Sequence, residues 1–385
     1  MIKKSRLIKL TQQLIRIDSQ NPPGDESAIA DFVRSFLLNL GLKVKVYEFE
    51  KKRSNVLGYL GNKNNKHSML ITPHLDTVPA GKNWKYKPFS GKVVGDKIYG
   101  LGSTDCKCNL ASCLEVINSL VEDKKILSYN LILAATADEE CGSGLGLIPL
   151  LENKILKPDA VLVLDADDFE IIVAQKGLIH LMVKVNGRRA HGAYPYLGVN
   201  AIEIALDVIK QLKAFKFPYT KNKYLKEPTL NVGTIKGGDK VNVVADWAEF
   251  ELDFRFLPGT KAQDILKVLK LILKQSVKKF SQKSGIPLKA GSIKLNGIQQ
   301  PYEISERHAL VTNLKAALKD YKIKPQLHGS EGATVITFFQ QKNIPAIASG
   351  FGVSGCAHIA NEFVKISNLY KGSKVLECFL ENYKF

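Results

Sequence analysis

Five strand or turn ends along this chain carry histidine or carboxylate side chains, and this pattern constrains the fold more than any other feature. Apolar, strand-like runs precede these ends. In a parallel sheet the carboxyl ends of the strands meet at one edge, so these side chains are expected to converge. Imidazole and carboxylate groups suit Zn²⁺ and its neighbours. The residues concerned are His74 and Asp76; Asp105; Asp138, Glu139 and Glu140; Asp165 and Asp167; and His358 and Glu362.

The order of periodic segments predicts an α/β fold with a mostly parallel sheet. Short strands such as "SMLITPHLD", "NLILAATADEE" and "AVLVLDAD" alternate with helical patterns over the first half of the chain. The predicted helices of this part are 5–17, 26–40, 108–120 and a short helix near 145–152.

The pattern changes after Gly177, which predicts an inserted domain. A strand with alternating polarity ("GLIHLMVKVNG") is followed by a helix at 199–215, two further alternating strands and a long helix at 261–284. This order is typical of a small α+β domain with one open sheet. Helices are predicted again at 305–320, 332–341 and 366–382. We therefore predict a split catalytic domain, 1–177 and 295–385, interrupted by a smaller domain at 178–294.

The net charge of +18 favours a solvated surface over a nucleic-acid site. Arginine accounts for only 8 of the 55 basic residues, and the lysines are scattered along the chain. Nucleic-acid sites tend to cluster arginine and interleave aromatic residues. No apolar run has the length of a membrane helix. We expect a cytoplasmic protein without a nucleic-acid or membrane partner.

Three cysteines surround Asp105 in "GLGSTDCKCNLASC": Cys106, Cys108 and Cys113. Their spacing lacks a fourth partner for an iron–sulfur cluster, and "YGLGSTD" lacks the third glycine of a dinucleotide-binding turn. We interpret this stretch as a carboxylate site lined by cysteines. Either the thiols only pack the wall behind the site, or one lies close enough to the metals for its oxidation to alter them.

Several segments, in order along nearly the whole chain, resemble the dinuclear-zinc amidohydrolases of metallopeptidase family 20. This family includes acetylornithine deacetylase, succinyl-diaminopimelate desuccinylase, aminoacylase and glutamate carboxypeptidase. The resemblance implies a zinc-peptidase-like catalytic domain and a lid or dimerisation domain. The segments are "SQNPPGDE", "LITPHLDTVPAG", "NWKYKPFSGKVVGDKIYGLGSTDCK", "ATADEECGSGLG", "RRAHGAYPYLGVNAI" and "GTIKGGDKVNVVADWAEFELDFRFLPG".

The resemblance also implies a role for each matching residue. Asp105 would bridge two Zn²⁺ ions, and Co²⁺ would be able to replace them. His74 and Asp165 would complete one metal site, and Glu140 and His358 the other. Asp76 would orient the imidazole of His74, and Glu139 would be the general base that activates a metal-bridging water. The peptide bond after Asp105 would be cis.

In the inserted domain, His191 would stabilise the oxyanion, commonly from the partner subunit of a homodimer. Asn242 and Arg255 would hold the substrate carboxylate, for which a guanidinium is well suited. The resemblance implies hydrolysis of the amide bond of a small N-acyl-amino acid. The same zinc chemistry would serve a carboxypeptidase or dipeptidase acting on short peptides, and a non-catalytic binding relative is a third possibility.

The chain departs from the family pattern at four places. "GLG" precedes Asp105 where "GRG" is usual, and "KCN" follows it where "KGG" is usual. Asp165 stands where Glu is common. The segment "HGSEGATV" (328–335) replaces a stretch that lies near the substrate in many members, which leaves the acyl group open.

Overall fold

The structure is a computed structural model that describes residues 1–62, 64–332 and 334–385. Contacts between residues divide the chain into two compact units. Unit 1 contains Met1–Val173, Ile304–His328 and Val335–Phe385, and unit 2 contains Ala174–Glu303 and Gly329–Thr334. The predicted boundaries at 177/178 and 294/295 fall inside unit 2, which is longer at both ends than the predicted insert. Ala333, in the predicted helix 332–341 and in "HGSEGATV", lies outside the described residues.

The helices follow the apolar periodicity of the sequence. Helix α2 ends just before Gly41, whose positive φ of 78° is readily adopted by glycine. The α-helices are α1 (Lys4–Arg16), α2 (Ser27–Asn39), α3 (Lys107–Glu122), α4 (Leu147–Glu152), α5 (Ala201–Ala214), α6 (Ala262–Ser284), α7 (Ala309–Asp320), α8 (Ile336–Gln340) and α9 (Ile366–Asn382). None of them, within the described residues, combines the length and apolar character that crossing a bilayer requires.

The strands include several short ones that the sequence pattern does not predict, because they have too few residues for a recognisable alternation. The strands are β1 (Lys43–Glu48), β2 (Ser54–Leu60), β3 (Ser68–Thr72), β4 (Lys92–Val94), β5 (Lys97–Tyr99), β6 (Asn130–Ala135), β7 (Ala160–Leu164), β8 (Ile171–Gln175), β9 (Gly177–Asn186), β10 (Thr229–Gly237), β11 (Trp247–Phe256), β12 (Ser292–Gln299), β13 (Tyr302–Glu303), β14 (Leu327–Ser330), β15 (Ala346–Ser349) and β16 (Phe363–Lys365).

Unit 1 is built on a sheet whose central strands β6, β3, β7 and β15 are parallel. Strands β1 and β2 extend the sheet in antiparallel fashion beyond β6. Strands β7 and β15 are buried throughout, as expected when helices cover both faces of a parallel sheet. This architecture confirms the predicted α/β class with a largely parallel sheet.

The carboxyl ends of the parallel strands lie at one edge of this sheet, and the chemistry-bearing residues follow them. His74 comes after β3, Glu139 and Glu140 come after β6, Asp165 directly follows β7, and His358 lies in the loop after β15. An isolated parallel bridge between His74 and Thr136 continues the pairing of β3 with β6 to this edge. The topology therefore brings residues far apart in sequence to one end of unit 1.

Unit 2 contains an antiparallel sheet in the order β10-β11-β9-β12 with helices α5 and α6 packed against it. Alternate residues of β11 are buried, including Phe250, Leu252 and Phe254. They form the core with apolar residues of α5 and α6. The sequence pattern does not predict strand β12, which begins at Ser292 and pairs with β9. No residue of this edge strand is buried, although Ile293 and Leu295 alternate with polar residues.

Candidate metal centre

His74, Asp105 and Asp165 converge at the carboxyl edge of the unit 1 sheet. Nε2 of His74 lies 2.9 Å from Oδ1 of Asp105 and 3.7 Å from Oδ1 of Asp165. These three residues and Cys106 form a group whose possible ligand atoms all lie within 4.8 Å of one another. The donor set of one imidazole and two carboxylates suits a divalent cation of the first transition row.

A second group shares Asp105 with the first. Nε2 of His358 lies 3.1 Å from Oδ2 of Asp105 and 3.2 Å from a carboxylate oxygen of Glu140. The two oxygens of Asp105 thus face different histidines, with Oδ1 towards His74 and Oδ2 towards His358. A carboxylate placed in this way has the geometry of a bridge between two cations.

The charges at this centre fit two divalent cations. Burial opposes ionisation of Asp105, yet hydrogen bonds from His358 and His74 lower its pKa below the usual range. Hydrogen bonds of His358 with Asp105 and Glu140 raise the pKa of this histidine to about 10. Burial lowers the pKa of His74, but interactions with Cys106, Asp105 and Asp165 have the larger effect. The pKa of His74 is therefore raised. Positive charge between these side chains is therefore strongly favoured, as a cation site requires.

Asp76 supports this centre through two different groups. Its backbone carbonyl oxygen lies 3.0 Å from Nδ1 of His74, while its carboxylate oxygen lies 3.5 Å away. A hydrogen bond at Nδ1 leaves Nε2 as the ligand atom. The carboxylate accepts hydrogen bonds from the backbone N–H groups of Glu139 and Glu140, each at 3.1 Å. The residue expected to orient His74 thus also holds the turn that carries the expected base.

Glu139 follows β6 beside the ligand candidate Glu140 but belongs to neither donor group. Burial raises its pKa well above the usual value, and the nearby Asp165 carboxylate adds to this effect. A carboxyl group with a raised affinity for protons, next to a cation site, can accept a proton and release it again.

Glu362 is one of the strand-end carboxylates, yet the structure gives it a role other than ligation. Its buried carboxylate accepts hydrogen bonds from the backbone N–H groups of Gly102, Thr104 and Asp105, at 2.8, 2.7 and 3.0 Å. It therefore clamps the loop that presents Asp105 to the centre. The peptide bond between Asp105 and Cys106 is cis.

Of the cysteines around Asp105, Cys106 belongs to the first donor group. Cys106, Cys108 and Cys113 are fully buried, and burial raises the pKa of Cys106 to about 12. The Sγ atom of Cys106 accepts a hydrogen bond from the backbone N–H of His74 at 3.1 Å. Each candidate group among the described residues contains at most one cysteine, so the donors found here are mainly oxygen and nitrogen.

The residues expected to contact substrate lie in unit 2. His191 and Asn242 sit on loops joined by a bridge between His191 and Val243 and by a hydrogen bond from Gly192 N to Asn242 O. Nδ1 of the exposed His191 accepts a hydrogen bond from Ala193 N at 3.0 Å, which leaves Nε2 as its N–H donor. Arg255 lies on β11, separately from these loops.

Arg255 already has a carboxylate partner in its own strand. Its Nε and one terminal nitrogen donate to the two oxygens of Asp253, at 2.7 and 2.9 Å. Asp253 also lies 3.1 Å from Nε2 of His180. The guanidinium is therefore held in a defined orientation, which sequence reasoning did not anticipate.

Sequence reasoning also missed the polar residues that contact Asp76 and Asp138, next to the turn that carries Glu139 and Glu140. Asn21 contacts both Asp76 and Asp138, and Arg53 joins Asp138 to Glu26. Asn21 belongs to the segment "SQNPPGDE", one of those that carry the family resemblance. Its place in this segment was the available signal for Asn21.

A family model described as "Peptidase family M20/M25/M40" matches residues 70–382, which contain all the ligand candidates. The chain belongs to this family. Membership confirms the resemblance stated from the sequence, and the protein is an M20 hydrolase that acts on amide or peptide bonds.

Curated relatives and solved structures resemble this M20 hydrolase over most of its length. A succinyl-diaminopimelate desuccinylase from Orientia tsutsugamushi (strain Boryong) is 28% identical, covering 96% of this chain and 94% of the relative. An acetylornithine deacetylase from Aliivibrio salmonicida (strain LFI1238) is 30% identical over 86% of this chain and 84% of its own. The crystal structure of the aminopeptidase PepT from Bacillus cereus ATCC 10987 has the same fold, with a TM-score of 0.80, 23% identity, and coverage of 99% of this chain and 98% of that one.

Proposed function

We propose that this chain is a zinc-dependent deacylase that hydrolyses the amide bond of N-acylated amino acids. The observation that carries the proposal is the pair of donor groups sharing Asp105, with Glu139 beside the ligand candidate Glu140. The long matches to relatives named as a desuccinylase and a deacetylase support the deacylase activity over a peptidase activity.

The two donor groups support one assignment of the metal ligands. His74 and Asp165 would hold one zinc ion, Glu140 and His358 the other, and Asp105 would bind both. Co²⁺ accepts the same nitrogen and oxygen donors and would replace zinc. When bound, the two ions would polarise the scissile carbonyl and lower the pKa of water.

Glu139 acts as the general base in this proposal. Its carboxylate takes a proton from the attacking water and passes it to the leaving amine nitrogen, so that one group serves both proton transfers. Its raised pKa supports this role, because a carboxyl group with ordinary proton affinity would hold the proton too weakly between the two transfers.

Three residues of unit 2 would bind the substrate. The Nε2–H of His191 is a free donor suited to the developing oxyanion. Asn242 and Arg255 would hold the amino-acid carboxylate, with Arg255 pre-oriented by Asp253. This assignment makes a free carboxylate a requirement for good substrates.

We further propose a homodimer formed through unit 2, in which His191 serves the partner's centre. Strand β10 is at the edge of its sheet. Ile235 on this strand and Leu206 on α5 are exposed apolar side chains. An open edge with exposed apolar residues is suited to pairing with a second copy. A cytoplasmic location stays a prediction.

A substrate panel tests the activity. We expect N-acetyl- and N-succinyl-amino acids to be cleaved with kcat/KM at least tenfold above dipeptides, and the same acyl-amino acids with an amidated carboxyl group to be poor substrates. Preference for dipeptides would instead indicate a dipeptidase or carboxypeptidase. If Arg255 binds the substrate carboxylate, Arg255→Lys should reduce the difference in kcat/KM between the free and the amidated substrate.

Removal of metal is expected to abolish turnover on every substrate of this panel. Dialysis against a chelator should leave the fold intact but remove activity, and added Zn²⁺ or Co²⁺ should restore it. Full activity in a preparation verified to be metal-free would contradict the metal-dependent mechanism.

Replacement of His191 tests both the oxyanion role and the cross-subunit role. His191→Ala should lower kcat by about 10²-fold with little effect on KM, because the donor acts mainly in the transition state. Sedimentation should find a dimer, and mixing His191→Ala with Glu139→Gln subunits should recover part of the activity if His191 acts across the interface. A fully active monomer would refute that arrangement.

A further inference from the structure

Asn21 lies at the back of the centre, where one nitrogen atom joins two buried carboxylates. Its Nδ2 donates to Oδ2 of Asp76 at 2.9 Å and to Oδ1 of Asp138 at 3.2 Å. Asn21 is 4% exposed. A carboxamide nitrogen carries two protons, so it can serve both acceptors at the same time.

Each of these carboxylates holds the turn that carries Glu139 and Glu140. Asp76 accepts the backbone N–H groups of both glutamates. Asp138 precedes Glu139 directly and has a positive φ of 63°, and its Oδ2 accepts the N–H of Leu145 at 3.0 Å. Asn21 is thus the link between two clamps on a single turn.

The ion pairs of Arg53 do not join Asp138 to Asp76 among the described residues, whereas Asn21 does. Arg53 makes a two-pronged ion pair with Glu26 and a 2.9 Å contact with Asp138, so its one positive charge serves two carboxylates. Arg53 makes no ion pair with Asp76 within the part of the chain that the structure describes. The two protons of the Asn21 amide draw Asp76 and Asp138 together without adding charge to a buried site.

We propose that Asn21 is a positioning residue that sets the directions of Glu139 and Glu140. It holds Asp76 and Asp138 at a fixed separation, and these in turn keep one glutamate towards the metal centre and the other free to accept a proton. The inference rests on the proposed roles of Glu139 as base and Glu140 as ligand, and it extends them to a residue of the amino-terminal turn.

A graded series of variants tests this inference, because the side chains differ in the number of protons they can donate. Asn21 offers two, Asn21→Ser offers one, and Asn21→Ala offers none. We expect kcat to fall by about 10–100-fold in Asn21→Ala and by less in Asn21→Ser, with KM within threefold of the unaltered chain. Asn21→Asp should be the most damaging, since it adds a third carboxylate. Gln20→Ala is the matched control, because among the described residues the neighbouring Gln20 side chain forms hydrogen bonds with Asp18 and Ala80 and with neither Asp76 nor Asp138. It should change kcat by less than twofold.

Titration of the metal-free chain with Zn²⁺ gives a second readout that does not depend on turnover. We expect Asn21→Ala to weaken one of the two binding steps by about tenfold, the step that uses Glu140, and to leave the other unchanged. A lowered thermal midpoint with unchanged kcat and unchanged affinities would overturn the proposal, because a purely structural role predicts that result. If the unaltered chain cleaved no substrate of the panel, the titration would still decide the role of Asn21.

Discussion

Glu139→Gln is expected to lower kcat by about 10²–10⁴-fold while the chain still binds two metal ions. The substitution keeps the size of the side chain and removes only its ability to accept a proton. Glu139 lies outside both donor groups, so the ligands remain intact. Steady-state kinetics on the best substrate of the panel, together with metal analysis of the same preparation, measures the two quantities separately.

Two control variants make this result specific to Glu139. Glu140→Gln, at the adjacent position, should lose metal as well as activity, because Glu140 belongs to the group of Asp105 and His358. Asp159→Asn should change neither, since Asp159 is half-exposed and precedes β7 at the end opposite to Asp165. Activity of Glu139→Gln within threefold of the unaltered chain would rule out Glu139 as the base.

Asp105→Asn is expected to remove metal from both groups at once. Asp105 is the only residue common to the two groups found among the described residues. An amide has one carbonyl oxygen in place of two charged oxygens, so it cannot face two cations equally. Metal analysis after dialysis should find well under one equivalent of zinc, and turnover should fall below detection.

The single-site variants His358→Ala and Asp165→Asn provide the comparison for Asp105→Asn. Each belongs to one group only, so each should lose about one equivalent of zinc and retain the other. Retention of two equivalents by Asp105→Asn would show that Asp105 does not bridge the metals. Loss of both by His358→Ala would instead indicate that the two sites fill cooperatively.

The fold was predicted well where elements are long and periodic. Helices α1, α2, α3 and α9 lie within about two residues of the predicted ranges, because their apolar stripes face the core. Helix α8 is much shorter than the predicted 332–341. The edge strand β12 and the β4–β5 hairpin were missed. The hairpin strands have three residues each, which is too few for a recognisable hydrophobic period.

The candidate metal centre was predicted from residues that follow apolar strands, and the structure brings all five ligand candidates into two adjoining groups. Their spacing in the chain, from His74 to His358, carries no information about which pairs meet. The double role of Asp76, the clamp by Glu362 and the link through Asn21 depend on hydrogen bonds between segments far apart in sequence. No local pattern encodes such contacts.

The sequence by itself determined the α/β class, because hydrophobic periodicity is a local property of the chain. The resemblance of its segments to a known family identified the family and the candidate side chains. Only the tertiary structure decided how these side chains are used. It turned the two oxygens of Asp105 towards different histidines, gave Arg255 a carboxylate partner within its own strand, and buried Cys106, Cys108 and Cys113. These outcomes depend on the directions of side chains from segments that meet only after folding, and those directions are set by packing and by the need to satisfy buried polar groups.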